Sequence, residues 1–126
     1  MKKVVAHKTF DIIHYGHLNY LEKAKSFGDY LIVFVTSDKE SIKQNKTNYF
    51  NEFIRLKMIK SFKCVDEVKL RDTNLIDALK TIDYDIFVTT YASFKNNKSI
   101  TKPVIILDRT KDISTSIIKD YLNKKQ

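Results

Sequence analysis

With 126 residues, of which 43% are hydrophobic and 12% aromatic, and only two Gly and one Pro, the chain predicts one globular domain over 1–126; disordered, collagenous and two-domain readings are excluded. Twenty-three Lys and Arg against 15 Asp and Glu give a formal charge of +8, which favours anionic partners such as phosphates or nucleic acid. The single cysteine, Cys64, has no internal disulfide partner and predicts a buried thiol in a reducing, cytoplasmic setting. Met1-Lys2-Lys3 is basic, but the apolar Val4-Val5-Ala6 behind it is far too short for a signal peptide. No segment approaches the ~20 apolar residues of a membrane span, so a soluble, unexported protein is expected.

In chain order, Val4 to Ala6 reads as a buried strand, and Leu18, Leu21, Ala24 and Phe27 as a helical stripe closing at Gly28 as a C′ residue. Tyr30 to Val35 is a second strand. The polar stretch 39–48 is a long connection. Phe53, Leu56 and Ile59 predict a helix capped by Asn51 and ending near Phe62, and Val65 to Leu70 a short strand. Leu75, Ala78, Leu79 and Ile82 mark a third helix, Tyr84 to Val88 a strand, and 92–102 another long polar connection. Val104 to Leu107 is the last strand, and Ile113, Ile117, Ile118, Tyr121 and Leu122 the last helical stripe, followed by a basic tail. Such alternation predicts an α/β fold, a parallel sheet with helices on both faces.

In such a sheet ligands bind beyond the carboxyl ends of the strands, near free N–H groups of helix starts. Two polar segments fall there, 8–17 and 109–116. In the first, His14 and His17 lie one helical turn apart with Gly16 between them. Three readings stand: the imidazoles handle phosphate, or one caps the helix while the other packs, or His7, His14 and His17 bind zinc. Asp11 is placed to accept backbone N–H bonds. In the second segment Ser114 and Thr115 either cap a helix or bind phosphate, and Arg109, one of three arginines, either forks onto phosphate or makes a surface ion pair. Lys43 and Lys46 lie in a solvated run of charge. No paired carboxylates and no Ser/His/Asp or Cys/His arrangement offers a nucleophile.

The segment His14-Tyr15-Gly16-His17 resembles the HxGH signature of the cytidylyltransferase family of nucleotidyltransferases, and 109–116, RTKDISTS, is similar to that family's RTxGISTT. With 28–31, 36–38 and 65–68 matching in kind and position, the likeness spans nearly the whole chain and is nearest the small glycerol-3-phosphate cytidylyltransferases. The resemblance implies a Rossmann-like fold of the HIGH type, usually a homodimer, that joins CTP with Mg²⁺ to a phosphorylated alcohol such as glycerol 3-phosphate, releasing pyrophosphate. By position it implies that His14 and His17 steady the α-phosphate, that Thr9, Phe10 and Gly16 line the nucleotide, and that Lys46 reaches phosphate from a loop. Arg109, Ser114 and Thr115 would hold the β- and γ-phosphates, and Arg55, Asp11 and Asp38 the acceptor side. Asp66 matches a further acidic position of the family. No protein-held metal is implied.

Three departures stand against that pattern. Lys8 replaces the glycine of Gly-Thr-Phe-Asp, either clasping phosphate or blocking the base. Thr89-Thr90-Tyr91-Ala92-Ser93 replaces a Gly-Asp-Asp-Trp-like segment, and Asp112 replaces the glycine before IST. They leave open an adenylyltransferase and a non-catalytic nucleotide binder; nucleic-acid binding rests on charge alone, without an aromatic stacking pattern.

Overall fold

The computed structural model describes residues 1–109 and 115–125, with the side chains of 115–117 and 125 left aside. In chain order its elements are β1 (Lys3–Lys8), α1 (Tyr15–Lys25), β2 (Tyr30–Thr36), α2 (Asp38–Lys43), α3 (Glu52–Lys60), β3 (Glu67–Arg71), α4 (Leu75–Leu79), β4 (Ile86–Thr89), a 3₁₀ turn over Ala92–Phe94, β5 (Val104–Ile106) and α5 (Thr115–Lys125). The strands form one parallel sheet in the order β3-β2-β1-β4-β5, a Rossmann-like arrangement.

Because successive side chains of a strand face opposite sides, β1 feeds two cores. Val4 and Ala6 join Leu31, Val33, Val35 and Val88 on the face covered by Leu21 and Ala24 of α1 and Ile59 of α3. Val5 joins Ile32, Phe34 and Phe87 on the face covered by Leu75, Ala78 and Leu79 of α4. Covering on both faces explains why the middle of β1 and most of β2 are apolar on consecutive residues rather than alternating.

Several expectations shift. Inside the stretch 39–48 the chain forms α2, whose start is capped by Ser37 accepting from the Glu40 N–H at 3.0 Å. Ile42 is its one apolar residue, so no apolar stripe announced it. Helix α4 stops at Leu79, short of Ile82, and β4 starts at Ile86 rather than Tyr84. The cap at Asn51 is present, accepting from the Ile54 N–H at 3.0 Å. Gly28 is not a left-handed C′ residue: α1 ends at Lys25 with Ser26 as its cap, and no glycine has positive φ. Its lack of a side chain serves close packing instead, since a Cβ there would lie 2.7 Å from the Lys2 carbonyl oxygen and 2.7 Å from Val4 Cγ2. Asp66 lies where β2 and β3 begin, opposite the strand ends discussed below; it accepts from the Leu31 N–H at 2.8 Å and from Lys25 Nζ. Among the described residues no helix is long and apolar enough to cross a membrane.

Candidate active site

The strand order reverses at β1, with β2 and β3 on one side and β4 and β5 on the other, so a crevice opens beyond the carboxyl ends of β1 and β4. A cavity of about 300 Å³ lies there, and its wall includes both His14 and His17 and, from beyond β5, Arg109. The two distant sequence segments therefore meet at one site.

His14 is the N-cap of α1, and the turn is closed reciprocally: the Gly16 N–H donates to His14 Nδ1 at 3.0 Å, and the His14 N–H donates to His17 Nδ1 at 3.4 Å. Both Nδ1 atoms are thus acceptors, so each neutral ring carries its proton on Nε2 and has that N–H to offer. The rings stack at 3.9 Å between centroids, 23° apart in plane. Burial, reinforced by His14 and Lys8, pushes His17 down to about 3, and burial and Lys8 lower His14 as well. Capping and phosphate handling, set apart as alternatives by the sequence, are compatible here, because the cap uses Nδ1 and leaves Nε2–H. His7 Nε2 faces Thr89 Oγ1 at 2.9 Å, and among the described residues no group of three or more His, Cys, Asp or Glu could hold a metal.

The loop from β1 into α1 is held under strain. Phe10 has φ +58°, in the left-handed region that costs a bulky residue about 1–3 kcal/mol. Its ring is 1% exposed and meets His17 edge-on at 5.2 Å, so Phe10, expected at the nucleotide, supports the imidazole from the core. Asp11 is also buried, accepting from the Tyr49 and Phe50 N–H groups at 2.9 and 3.0 Å and from Lys119 Nζ at 2.7 Å, which together hold its carboxyl below the usual range despite burial.

Arg55 corrects a sequence expectation. It is 1% exposed and lies in the wall of neither cavity described here. Its guanidinium donates to the carbonyls of Phe50 at 3.0 Å, Thr9 at 2.7 Å and Thr36 at 2.6 Å and to Asp38 Oδ1 at 2.7 Å. Asp38 in turn accepts from the Glu52 N–H at 3.1 Å. Arg55 and Asp38, expected at the acceptor, thus tie the ends of β1 and β2 to the start of α3 and position the loop that carries Thr9 and Phe10.

Lys8 ends β1 with its ammonium in the cavity wall, donating to Thr90 Oγ1 at 2.5 Å and lying 4.8 Å from the Tyr91 ring centre. The Arg109 guanidinium lies 5.2 Å from the same ring. Two of the departures from the family pattern therefore contact each other: Lys8 rests on Thr90 and Tyr91. Burial, Arg109 and Lys46 bring the Lys8 ammonium down to about 8. In all, Lys8, Lys23, Lys46, Arg109 and Lys119 face Asp11 and Asp108 around this cavity, an excess of positive charge suited to a polyanion.

A second cavity, of about 380 Å³, adjoins the first and shares Lys8, Thr9, Lys46 and Tyr91 with it. Its own wall adds Glu40 and Arg71 from the β2–β3 side and His7, which burial together with the Arg71 and Lys8 charges pushes down to about 3.

Of the residues expected from the sequence, His14, His17, Gly16, Thr9, Phe10, Asp11, Lys46 and Arg109 line the first cavity; Ser114 lies outside the described residues, and Thr115 opens α5 with its side chain left aside. Lys119 and Arg71 were missed. Lys119 stands alone in the last helical stripe, with nothing in its own neighbourhood to mark it. Tyr91 was singled out only as part of a departing segment, with no role given, and Arg71 stands at a strand end, the one positional signal that would have marked it.

A family model described as Cytidylyltransferase-like matches residues 7–121. The chain is 34% identical to a glycerol-3-phosphate cytidylyltransferase of Staphylococcus aureus, covering 99% of this chain and 98% of that protein. It is 45% identical to an FAD synthase of Methanocorpusculum labreanum over 66% of this chain and 59% of that protein. Among solved structures, a lipopolysaccharide core biosynthesis protein from Thermoplasma volcanium superposes with a TM-score of 0.77 at 29% identity, covering 88% of this chain and 99% of that one.

Proposed function

Because the chain belongs to the cytidylyltransferase-like family of nucleotidyltransferases, we propose that it joins CTP to a small phosphorylated alcohol such as glycerol 3-phosphate, releasing pyrophosphate and forming a CDP-alcohol. The observation that carries this reading is the placement of two neutral Nε2–H donors and Arg109 around one cavity with an excess of cations. End-to-end similarity to a glycerol-3-phosphate cytidylyltransferase supports the acceptor class.

In this reading the triphosphate occupies the first cavity, with Arg109 on the terminal phosphates and His14 and His17 at the α-phosphorus. The acceptor occupies the second cavity, and its phosphate oxygen attacks the α-phosphorus across the shared wall of Lys8, Thr9 and Lys46. The new P–O bond forms as the bond to the β-phosphate oxygen breaks, and pyrophosphate leaves. No side chain becomes covalently attached, so the protein's work is orientation and charge stabilisation. Neutral imidazoles suit this role: fixed by the helix cap, their N–H groups donate to oxygens whose negative charge grows as phosphorus becomes five-coordinate, without reorganising.

The residues present fit a magnesium ion carried by the nucleotide rather than caged by the protein, since Asp11 already holds three donors and Asp108 is the remaining carboxylate in that wall. Bound with the triphosphate, the ion would neutralise phosphate charge. Exposed Phe53, Ile54 and Met58 along α3 support a homodimer, which light scattering tests.

A second reading, an adenylyltransferase, is favoured by the FAD synthase similarity. Pyrophosphate release with CTP or ATP, Mg²⁺ and a panel of phosphorylated alcohols decides: release with CTP supports the first reading, release with ATP alone the second. Folded protein that binds CTP and releases none supports a non-catalytic binder.

A further inference from the structure

The second cavity contains a cation that the first does not share. Arg71, at the end of β3, is 7% exposed and lines that cavity but not the first. Its Nη1 donates to the Thr73 carbonyl at 2.6 Å and its Nη2 to Thr36 Oγ1 at 3.0 Å, while Nε is a buried donor without a partner. The nearest countercharge, Glu40 Oε2, stands 3.9 Å away, and the other Glu40 oxygen accepts from Lys43 at 3.1 Å. A buried guanidinium in this state is incompletely satisfied, and a planar fork of N–H groups matches an oxyanion.

Position distinguishes Arg71 from Lys8 and Lys46, which line both cavities. The phosphate being transferred must lie at the wall shared with the first cavity, where Lys8 and Lys46 stand ready to neutralise it. Arg71 lies in the wall of the second cavity and outside that of the first, with neutral His7, Glu40 and Tyr91 as the titratable groups around it.

We propose that Arg71 reads a second oxyanion on the acceptor, so that the preferred substrate is a phosphorylated alcohol that also carries a carboxylate or a second phosphate. This rests on the acceptor placement given above. Arg71 is then a specificity-determining residue that touches substrate at the end remote from the reacting phosphorus.

The test compares three acceptors with CTP and Mg²⁺: glycerol 3-phosphate, 3-phosphoglycerate for the carboxylate, and 1,3-propanediol bisphosphate for the second phosphate. The intact protein is expected to favour one acceptor with a second oxyanion over glycerol 3-phosphate by ~10-fold or more in kcat/KM, and Arg71→Gln to bring the ratio of the two kcat/KM values down to about one. Arg71→Lys should restore part of that preference. Equal use of all three acceptors by the intact protein overturns the proposal, as does a preference that survives in folded Arg71→Gln. If Arg71→Gln does not fold, the comparison within the intact protein and Arg71→Lys decides. If no acceptor releases pyrophosphate, calorimetric titration of the same three compounds separates the two ideas. Tighter binding of a second-oxyanion compound that Arg71→Gln abolishes upholds the Arg71 site while the transfer reading fails; equal binding overturns the site as well.

Discussion

Replacing Arg55 by Met tests whether this residue positions the site or touches substrate. Methionine fills much of the same space but abandons four hydrogen bonds, to the carbonyls of Phe50, Thr9 and Thr36 and to Asp38. The Thr36 carbonyl sits among buried residues and would be left without that donor, whereas Asp38 is partly exposed and can rehydrate, which trims the ionic share of the loss. Breaking a buried charged cluster from one side costs about 3–5 kcal/mol, a large part of the 5–15 kcal/mol that a domain of this size has in hand. The strained Phe10 backbone adds to the effect, because the Arg55 bond to Thr9 helps hold that loop. Denaturant unfolding of intact and variant protein should therefore show a loss of about 3–5 kcal/mol, with Tm falling by about 10 °C or more by calorimetry. Unchanged stability combined with a raised acceptor KM would refute the positioning role and restore Arg55 to the acceptor site.

Two further predictions concern charge. His7 and His17, both about 3 when folded and about 6.5 when unfolded, take up protons on unfolding anywhere between those values. Stability present above pH 6.5 is thus lost as pH falls through this window, by up to ~1.4 kcal/mol per pH unit for each ring, with His14 acting in the same direction. The carboxylates of Asp11, Asp38 and Asp66 are held below their usual values, so their contribution is lost only at lower pH, below about 4. Urea unfolding at pH 7 and pH 5 should differ by about 3–4 kcal/mol, and by roughly half that in His7→Gln; a flat profile contradicts the neutral burial of these rings. Lys8→Met keeps the aliphatic stem and removes the ammonium from the wall common to both cavities, so kcat/KM for CTP should fall by ~10-fold or more. Increased turnover would mark Lys8 as an obstruction.

The parallel α/β architecture was legible because Val4 to Ala6 in β1 and Tyr30 to Val35 in β2 are unbroken apolar runs, as a sheet covered on both faces requires. Helix α2 was not, since five of its six residues are polar and it is held by the Ser37 cap and by tertiary contacts rather than by an apolar stripe. At the site, the His14–His17 spacing announced its own geometry through the helical turn. The role of Arg55 was hidden, because a buried arginine and a substrate-facing one are written with the same letter, and only the positions of the Thr9, Thr36 and Phe50 carbonyls tell them apart. Lys119 was hidden for a related reason: its partner Asp11 lies at the other end of the chain.

The imidazole pair offers the most direct measurement. His14→Asn retains a capping side chain and His17→Asn a polar one, so each removes an Nε2–H donor while limiting damage to the start of α1. Single-turnover rates and equilibrium CTP affinity should be measured side by side for both variants. The account expects the chemical rate to fall on the order of 10²-fold or more with CTP affinity changed by less than ~5-fold. Matching losses in affinity and rate, or an unaltered rate, would contradict a transition-state role for these two rings.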